Sequence, residues 1–134
     1  MPPERRNPES MPQPTGAYSM VSVAAPGKRI AVISGQTGRL ASGSLSGDPI
    51  EQCRQTFEHV AAACEAIGAT PSDIVNLRTY LVGAEMLKAF VAARNEVFAE
   101  WYGDALPPAS TLLFVSGLAD PEAKCEIEAS IAVD

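Results

Sequence analysis

Alternation between apolar and polar positions predicts five strands along the chain. Near its start, Met20–Ala25 and Arg29–Ser34 are strand-like, and the Pro26-Gly27 pair between them predicts a hairpin turn. The stretch "IVNLRTYLVG", which begins at Ile74, predicts a third strand. Two more strands are predicted near the end, around Thr111–Ser116 and Cys125–Val133.

Two segments with apolar residues three and four positions apart predict helices. The first begins with Asp48 as N-cap, followed by Pro49 and by Glu51 in the position that completes a capping box. It ends at Gly68, a residue type favoured just beyond helix ends. The second helix covers 84–102. The predicted buried stripes are Ile50, Cys53, Phe57, Ala61, Cys64 and Ile67 on the first helix, and Leu87, Phe90, Val91, Val97 or Phe98, and Trp101 on the second.

The resulting order, β-β-α-β-α-β-β, predicts an α+β fold in which two helices cover one face of a sheet. In the third strand, Val75, Leu77, Thr79 and Leu81 share the face toward the helices. The open face carries Asn76, Arg78 and Tyr80 and, on the last strand, either Glu126 with Glu128 or Cys125 with Ile127. Because this face mixes apolar and polar residues, we expect self-association and a site at the subunit boundary.

Composition narrows the classes of function. The 134 residues suffice for one domain, and a net charge of −6 disfavours nucleic acid as a partner. Residues 1–13 are rich in proline and lack the apolar core of a signal peptide, so they predict a flexible arm before a single domain at 14–134. No apolar run reaches the roughly 20 residues that span a bilayer, so no membrane partner is expected.

The cysteines predict buried structural thiols. Cys53, Cys64 and Cys125 have no CxxC spacing, and His59 is the single histidine, which disfavours a zinc site. An odd, scattered cysteine count is typical of a reducing cytoplasm. The helical period places His59 on the solvent side of the first helix, too far from any serine to act as its base.

Five fragments carry a family resemblance in order and spacing. They are "TGAYSMV", "VISGQTG", "IEQCRQTFEHVAAACEAIGATPSDIV", "FVAARNEVFAEWYGDALPPAS" and "CEIEASIAV". Together they resemble the RidA/YjgF (Rid) family of imine and enamine deaminases. The resemblance implies a chorismate-mutase-like subunit in a homotrimer with clefts between subunits. It also implies hydrolysis of small imines without a metal or organic cofactor.

The resemblance assigns site residues position by position. Tyr18 matches an N-terminal cleft tyrosine, Asn95 matches an asparagine of the second helix, and Glu126 matches the carboxylate that positions the attacking water. The cleft turn of the family corresponds here to Ser34, Gly35 and Gln36. Tyr18 and Glu126 are thus expected to be catalytic, and the others to bind substrate.

One position departs from the family pattern. Where the deaminases have "PAR-S", with Arg holding the substrate carboxylate, this chain has "PAST", which places Ser110 at the position of the Arg. Hydrogen bonds to charged groups contribute about 1.5–3 kcal/mol each, so 2-imino acids should bind weakly unless another cation substitutes. Arg78 is one candidate for that role, and an ion pair between subunits, with Glu128 or Asp120, is the alternative. Ser110 and Thr111 either donate to a neutral substrate or cap the backbone where their strand begins.

Three functions therefore stay open at the level of sequence. The first is a hydrolase of the Rid type acting on a C=N or related C–N bond. The second is a trimer that binds a metabolite without catalysis. The third is an endoribonuclease, against which the acidic charge argues.

Overall fold

The computed structural model describes residues 1–134 and confirms the α+β class. The elements in chain order are β1 (Glu4–Arg6), β2 (Val21–Val23), β3 (Arg29–Gln36), α1 (Pro49–Ala66), β4 (Ile74–Val82), α2 (Met86–Tyr102), β5 (Ala109–Val115) and β6 (Cys125–Val133). A single 3-10 turn, Pro71–Asp73, precedes β4. A four-stranded mixed sheet has the strand order β3-β6-β4-β5, and a separate two-stranded sheet pairs β1 with β2.

Both helices pack on the same face of the larger sheet, as predicted. From β4, the side chains of Leu77, Thr79 and Leu81 are buried on this face, while Arg78 and Tyr80 lie on the other. From β6, Cys125 and Ile127 are buried and Glu126 and Glu128 are not, which decides between the two predicted orientations of that strand. The open face of the sheet is therefore lined in part by carboxylates. Neither helix is long and apolar enough to cross a membrane.

An aromatic cluster fills the space between the helices. The ring of Phe57 on α1 lies 5.5 Å from that of Phe90 and 5.6 Å from that of Trp101, measured between centroids. Phe98 and Tyr102 extend the cluster, with centroids 5.0 Å apart. Aromatic pairs at such distances contribute about 0.5–1.5 kcal/mol each beyond burial, so this cluster holds α1 and α2 together.

The first helix begins as predicted but buries a different stripe. Asp48 accepts a hydrogen bond from the N–H of Ile50 at 2.9 Å. The capping box predicted with Glu51 does not close, because the N–H of Asp48 donates to Ser46 Oγ instead, at 3.1 Å. Ile50 is 38% exposed and Ile67 46% exposed, so the prediction that these two residues are buried was wrong.

The buried face of α1 includes a polar residue, Gln52, that connects two loops. Its side-chain N–H donates to the carbonyl of Ser46 at 3.1 Å, and its side-chain oxygen accepts from the N–H of Lys124 at 2.7 Å. Because both contacts are to backbone, Gln52 joins the segment before α1 to the segment before β6. The helical pattern did not predict this burial, since glutamine is normally counted as a surface residue.

The second helix begins two residues later than predicted. It buries Phe90, Val97 and Phe98, as expected, but Leu87 is 41% exposed. The cysteines are all buried and unpaired, which confirms the prediction for them. His59 does not simply face solvent, because its Nδ1 lies 2.7 Å from the carbonyl oxygen of Thr37.

The predicted hairpin between Met20–Ala25 and Arg29–Ser34 was wrong. β2 pairs antiparallel with β1, and β3 pairs antiparallel with β6 instead. The segment just before β2 is held elsewhere, because Ser19 forms a parallel bridge with Ala109 at the start of β5. The turn at Pro26-Gly27 therefore connects two different sheets.

The N-terminal segment also differs from the prediction of a flexible arm. Glu4–Arg6 forms β1, and the guanidinium of Arg5 donates to the carbonyls of Leu106, Ser72 and Ile74 at 2.8, 3.0 and 2.9 Å. The same guanidinium lies 4.9 Å from the ring centroid of Tyr102. A proline-rich composition predicted disorder, but one arginine with several carbonyl partners holds this segment against the domain.

Candidate active-site cavity

The start of β5 is fixed by the chain segment that leads into β2. Ser19 Oγ donates to the carbonyl of Pro107 at 2.6 Å, and Ser22 Oγ accepts from the N–H of Ala109 at 2.8 Å. Pro108 is fully buried between these contacts. Ser110 and Thr111 therefore begin β5 on a rigid backbone.

A cavity of about 550 Å³ opens beside this strand, between the helix face of the sheet and α2. Its remaining wall is the loop 15–18. The cavity is mostly apolar, and its lining contains no Asp or Glu. The lining residues are Thr15, Gly16, Ala17, Tyr18, Phe57, Leu77, Thr79, Leu87, Phe90, Val91, Arg94, Phe98, Ser110, Thr111 and Leu112.

Three of the residues predicted for the site line this cavity. Tyr18, Ser110 and Thr111 come from separate parts of the chain and meet there. The N–H of Thr15 donates to the phenol oxygen of Tyr18 at 3.4 Å, and this contact lowers the pKa of Tyr18. The side chains of Ser110 and Thr111 make no hydrogen bond within the chain, so they are available to a ligand.

Arg94 is a cavity residue that the sequence interpretation missed. Its guanidinium carbon lies 5.9 Å from the ring centroid of Phe90, and burial lowers the pKa of the group from its ordinary value. An arginine stays protonated at neutral pH despite such a shift. The signal was present in the spacing, because Arg94 follows Leu87 by two helical turns and therefore shares its face.

A second group of predicted residues lies on the opposite, open face. Ser34, Gly35 and Gln36 form the end of β3, where the pairing with β6 shifts register between Ile33 and Gln36. A Cβ on Gly35 would lie 2.4 Å from Glu126 Oε2, so the carboxylate rests directly against this glycine. The irregular backbone and the missing side chain together make room for Glu126.

The neighbours of Glu126 on the open face are paired with one another. Arg78 Nη1 lies 3.7 Å from Glu128 Oε2, and the phenol of Tyr80 donates to the other oxygen of Glu128. This hydrogen bond is the main cause that raises the pKa of Tyr80. Glu126, which lies opposite Tyr80 in the β4–β6 pairing, makes no ion pair or hydrogen bond within the chain. The structure thus places Arg78 outside the cavity, in an ion pair with Glu128 that forms within one subunit rather than between subunits.

Asn95 belongs to neither group. It is exposed on α2, in a shallow groove with Ala17, and its side-chain oxygen lies 3.4 Å from Arg94 Nη2. Within one chain, therefore, Tyr18, Ser110 and Thr111 come together at the cavity, while the residues around Glu126 gather on the other side of the sheet.

Comparison with known proteins identifies the family. A family model described as Endoribonuclease L-PSP matches residues 8–133. The chain belongs to this family, the Rid or YjgF family. A RutC family protein of Pyrococcus horikoshii is 33% identical over 105 residues, which cover 74% of this chain and 75% of the relative.

Solved structures of Rid family proteins share the fold. One from Yersinia pestis, described as a conserved Rid family protein of unknown function, is 33% identical with a TM-score of 0.84, covering 99% of this chain and 100% of that one. The YjgF gene product of Escherichia coli is 26% identical with a TM-score of 0.71, covering 96% and 98% of the two chains. The resemblance found in the sequence is therefore confirmed over nearly the whole chain.

Proposed function

We propose that this Rid family protein hydrolyses the C=N bond of a small imine, including imines that form by tautomerisation of an enamine. The observation that carries the proposal is the carboxylate of Glu126, which rests against Gly35 and has no partner in the chain. A carboxylate in this condition can accept a proton from water, whereas the paired Glu128 is already engaged by Arg78 and Tyr80.

The chemistry follows from that proton transfer. As Glu126 takes a proton from water, the oxygen bonds to the imine carbon, and the C=N electron pair moves to nitrogen, which takes that proton back from Glu126. The hydroxyl proton of the resulting carbinolamine is then transferred to nitrogen through Glu126, the C–N bond breaks, ammonia leaves, and the remaining oxygen becomes the carbonyl of the product. Tyr18, at the cavity wall, can donate a hydrogen bond to the oxygen or nitrogen of the intermediate.

The proposal requires more than one copy of the chain. Glu126 and the cavity lie on opposite faces of one sheet, so a single subunit does not direct both at one substrate. We infer a homotrimer in which the open face of one subunit brings Glu126 to the cavity of the next. Exposed apolar side chains on β3 support this assembly, since Ile30 is 59% and Val32 69% exposed.

Two other functions would give different results in an assay of imine hydrolysis. A metabolite-binding trimer without catalysis would bind ligands in the cavity and leave imines untouched. An endoribonuclease is named in the description of the family model, but a net charge of −6 opposes binding to a phosphate backbone.

The decisive assay measures carbonyl product from imines that are generated in place by an amine oxidase or an amino-acid dehydratase. We expect release above the spontaneous rate, and we expect Glu126→Gln to reduce it by about a hundredfold or more, because general base catalysis contributes on that scale. Glu58→Gln is the matched control, since Glu58 is an exposed carboxylate on the helix side. Equal rates for Glu126→Gln and wild type would refute the role of Glu126. Cleavage of RNA without imine hydrolysis would favour the endoribonuclease function.

A further inference from the structure

Every arginine of this chain except Arg94 forms an ion pair with a carboxylate or a hydrogen bond to a carbonyl within the chain. Arg39 pairs with Asp120, Arg54 with Glu51 and Glu96, and Arg78 with Glu128. The remaining arginines except Arg94 contact carboxylates or carbonyls, namely Arg5, Arg6 and Arg29. Arg94 has no carboxylate within ion-pair distance, and its one hydrogen bond is the long contact to Asn95.

The environment of Arg94 makes this lack of partners costly. Its Nε is buried and has no hydrogen-bond acceptor. The Nε of Arg5 also lacks an acceptor, but the other two nitrogens of that guanidinium donate to carbonyls. Leaving a buried charged donor unpaired opposes folding, and proteins normally avoid it by pairing the group or exposing it. The guanidinium of Arg94 is only partly exposed and its buried Nε is unpaired, so an acceptor from outside the chain would relieve that penalty.

The guanidinium is also held in one place. The ring of Phe90 lies on one side of it, and a Cβ on Gly16 would lie 3.7 Å from Arg94 Nη1. The same Cβ position is 3.7 Å from Tyr18 Cε1, so Gly16 brings the loop that carries Tyr18 against Arg94. A guanidinium fixed in this way loses little conformational entropy when it binds a planar carboxylate.

We infer that Arg94 is the anion-binding group of the cavity and that the substrate is a small carboxylate with an apolar chain. In this arrangement the guanidinium on α2 supplies the positive charge that Ser110 on β5 cannot. The apolar walls formed by Leu87, Phe90 and Leu112 surround the hydrocarbon part of the ligand. Within one subunit, no acidic residue lines the cavity to compete for Arg94. The inference rests on the proposed function, because it names the substrate class of the same site.

Binding of 2-oxobutanoate, a small keto acid, tests the inference without relying on turnover. Titration calorimetry should show a dissociation constant at least about tenfold weaker for Arg94→Gln than for wild type, with Arg94→Lys between them. Butan-2-one, which has the same chain end without the carboxylate, should bind wild type and Arg94→Gln alike. Arg54→Gln is the matched control, because Arg54 lies on the outer face of the helices and is already paired.

Two further measurements separate ligand binding from a structural role. The Nε–H resonance of Arg94 should move when 2-oxobutanoate is added and stay unchanged with butan-2-one. Arg94→Gln should remain assembled and melt at or above the wild-type temperature, because the substitution removes an unsatisfied charge. A variant that dissociates or melts far lower would show that Arg94 pairs with another subunit, which overturns the inference.

The outcomes also distinguish failure of this inference from failure of the proposed function. If Arg94→Gln hydrolyses both anionic and neutral imines at the wild-type rates, Arg94 does not bind the substrate, but the proposed hydrolase function still holds. Tight binding of 2-oxobutanoate that depends on Arg94, without any imine hydrolysis, would keep the anion site and reject catalysis. Equal binding of the keto acid by wild type and Arg94→Gln overturns the inference directly.

Discussion

Gly35 determines where the carboxylate of Glu126 lies. A Cβ at this position would come within 2.4 Å of Oε2 and 2.8 Å of Cδ of Glu126, closer than nonbonded atoms approach. In Gly35→Ala the carboxylate must swing away, so we expect imine hydrolysis to fall nearly as far as in Glu126→Gln. The free energy of unfolding should change by about 1 kcal/mol or less, because only the end of a flexible side chain has to move.

The control for this substitution is Gly47→Ala. A Cβ there meets no atom within 4 Å, so both activity and melting temperature should stay at the wild-type values. Full activity in Gly35→Ala, measured by carbonyl release, would show that the position of Glu126 relative to the turn does not matter.

At the scale of residues, sequence was most informative where a local rule applied. The resemblance assigned Tyr18 to the cleft and placed Ser110, which is followed by Thr111, at the position of the substrate-holding Arg. The structure brings all three residues to one cavity. Arg94 was missed, although its spacing from Leu87 put both residues on the same helix face. A cation on a helix face is ordinarily solvated, and only the loop 15–18, which has no periodic pattern, covers it.

At the scale of elements, Arg5 fixes β1 to the domain. Three carbonyl contacts and the face of Tyr102 depend on this one side chain. We expect Arg5→Ala to lower the free energy of unfolding by about 2 kcal/mol, since charged hydrogen bonds are lost. The melting temperature should fall by roughly 6 °C.

Arg6→Ala provides the comparison for the first strand. Its side chain is 61% exposed and pairs with the exposed Glu4, so thermal unfolding should be nearly unchanged. Equal effects of the two substitutions would mean that the contacts of Arg5 do not stabilise the domain.

The elements themselves were easier to predict than their partners. The period of two in β4 gave the buried face of that strand, because one face must meet the helices. In β6 the same period separated Cys125 and Ile127 from Glu126 and Glu128, but only the structure shows which pair is buried. The same period says nothing about which strand lies alongside, and the hairpin expected at Pro26-Gly27 was wrong for that reason. Pairing depends on distant contacts, such as Ser19 with Pro107 and Pro108.

At the scale of the whole molecule, the open sheet face should control assembly. Light scattering at micromolar concentration should give a mass near three times 14.1 kDa. Val32→Glu, which places a charge at a side chain that is 69% exposed in the single subunit, should shift the mass toward that of the monomer and abolish imine hydrolysis.

Ile67→Glu tests whether any new charge has this effect. Ile67 is 46% exposed at the end of α1, away from the open face, so this variant should remain a trimer. A wild-type monomer, or a trimer that tolerates Val32→Glu, would remove the basis for a site shared between subunits.

The position of β6 in the sheet has a consequence for how the chain is made. Cys125–Val133 is the last element in sequence, yet it lies between β3 and β4 and pairs with both. During synthesis, the edges of β3 and β4 that will contact β6 therefore stay open until residues 125–133 have been made. The four strands can pair completely only after that point, through contacts between distant parts of the chain, which is a slow kind of folding step. In that interval the two open edges are the part of the nascent protein most exposed to pairing with another chain.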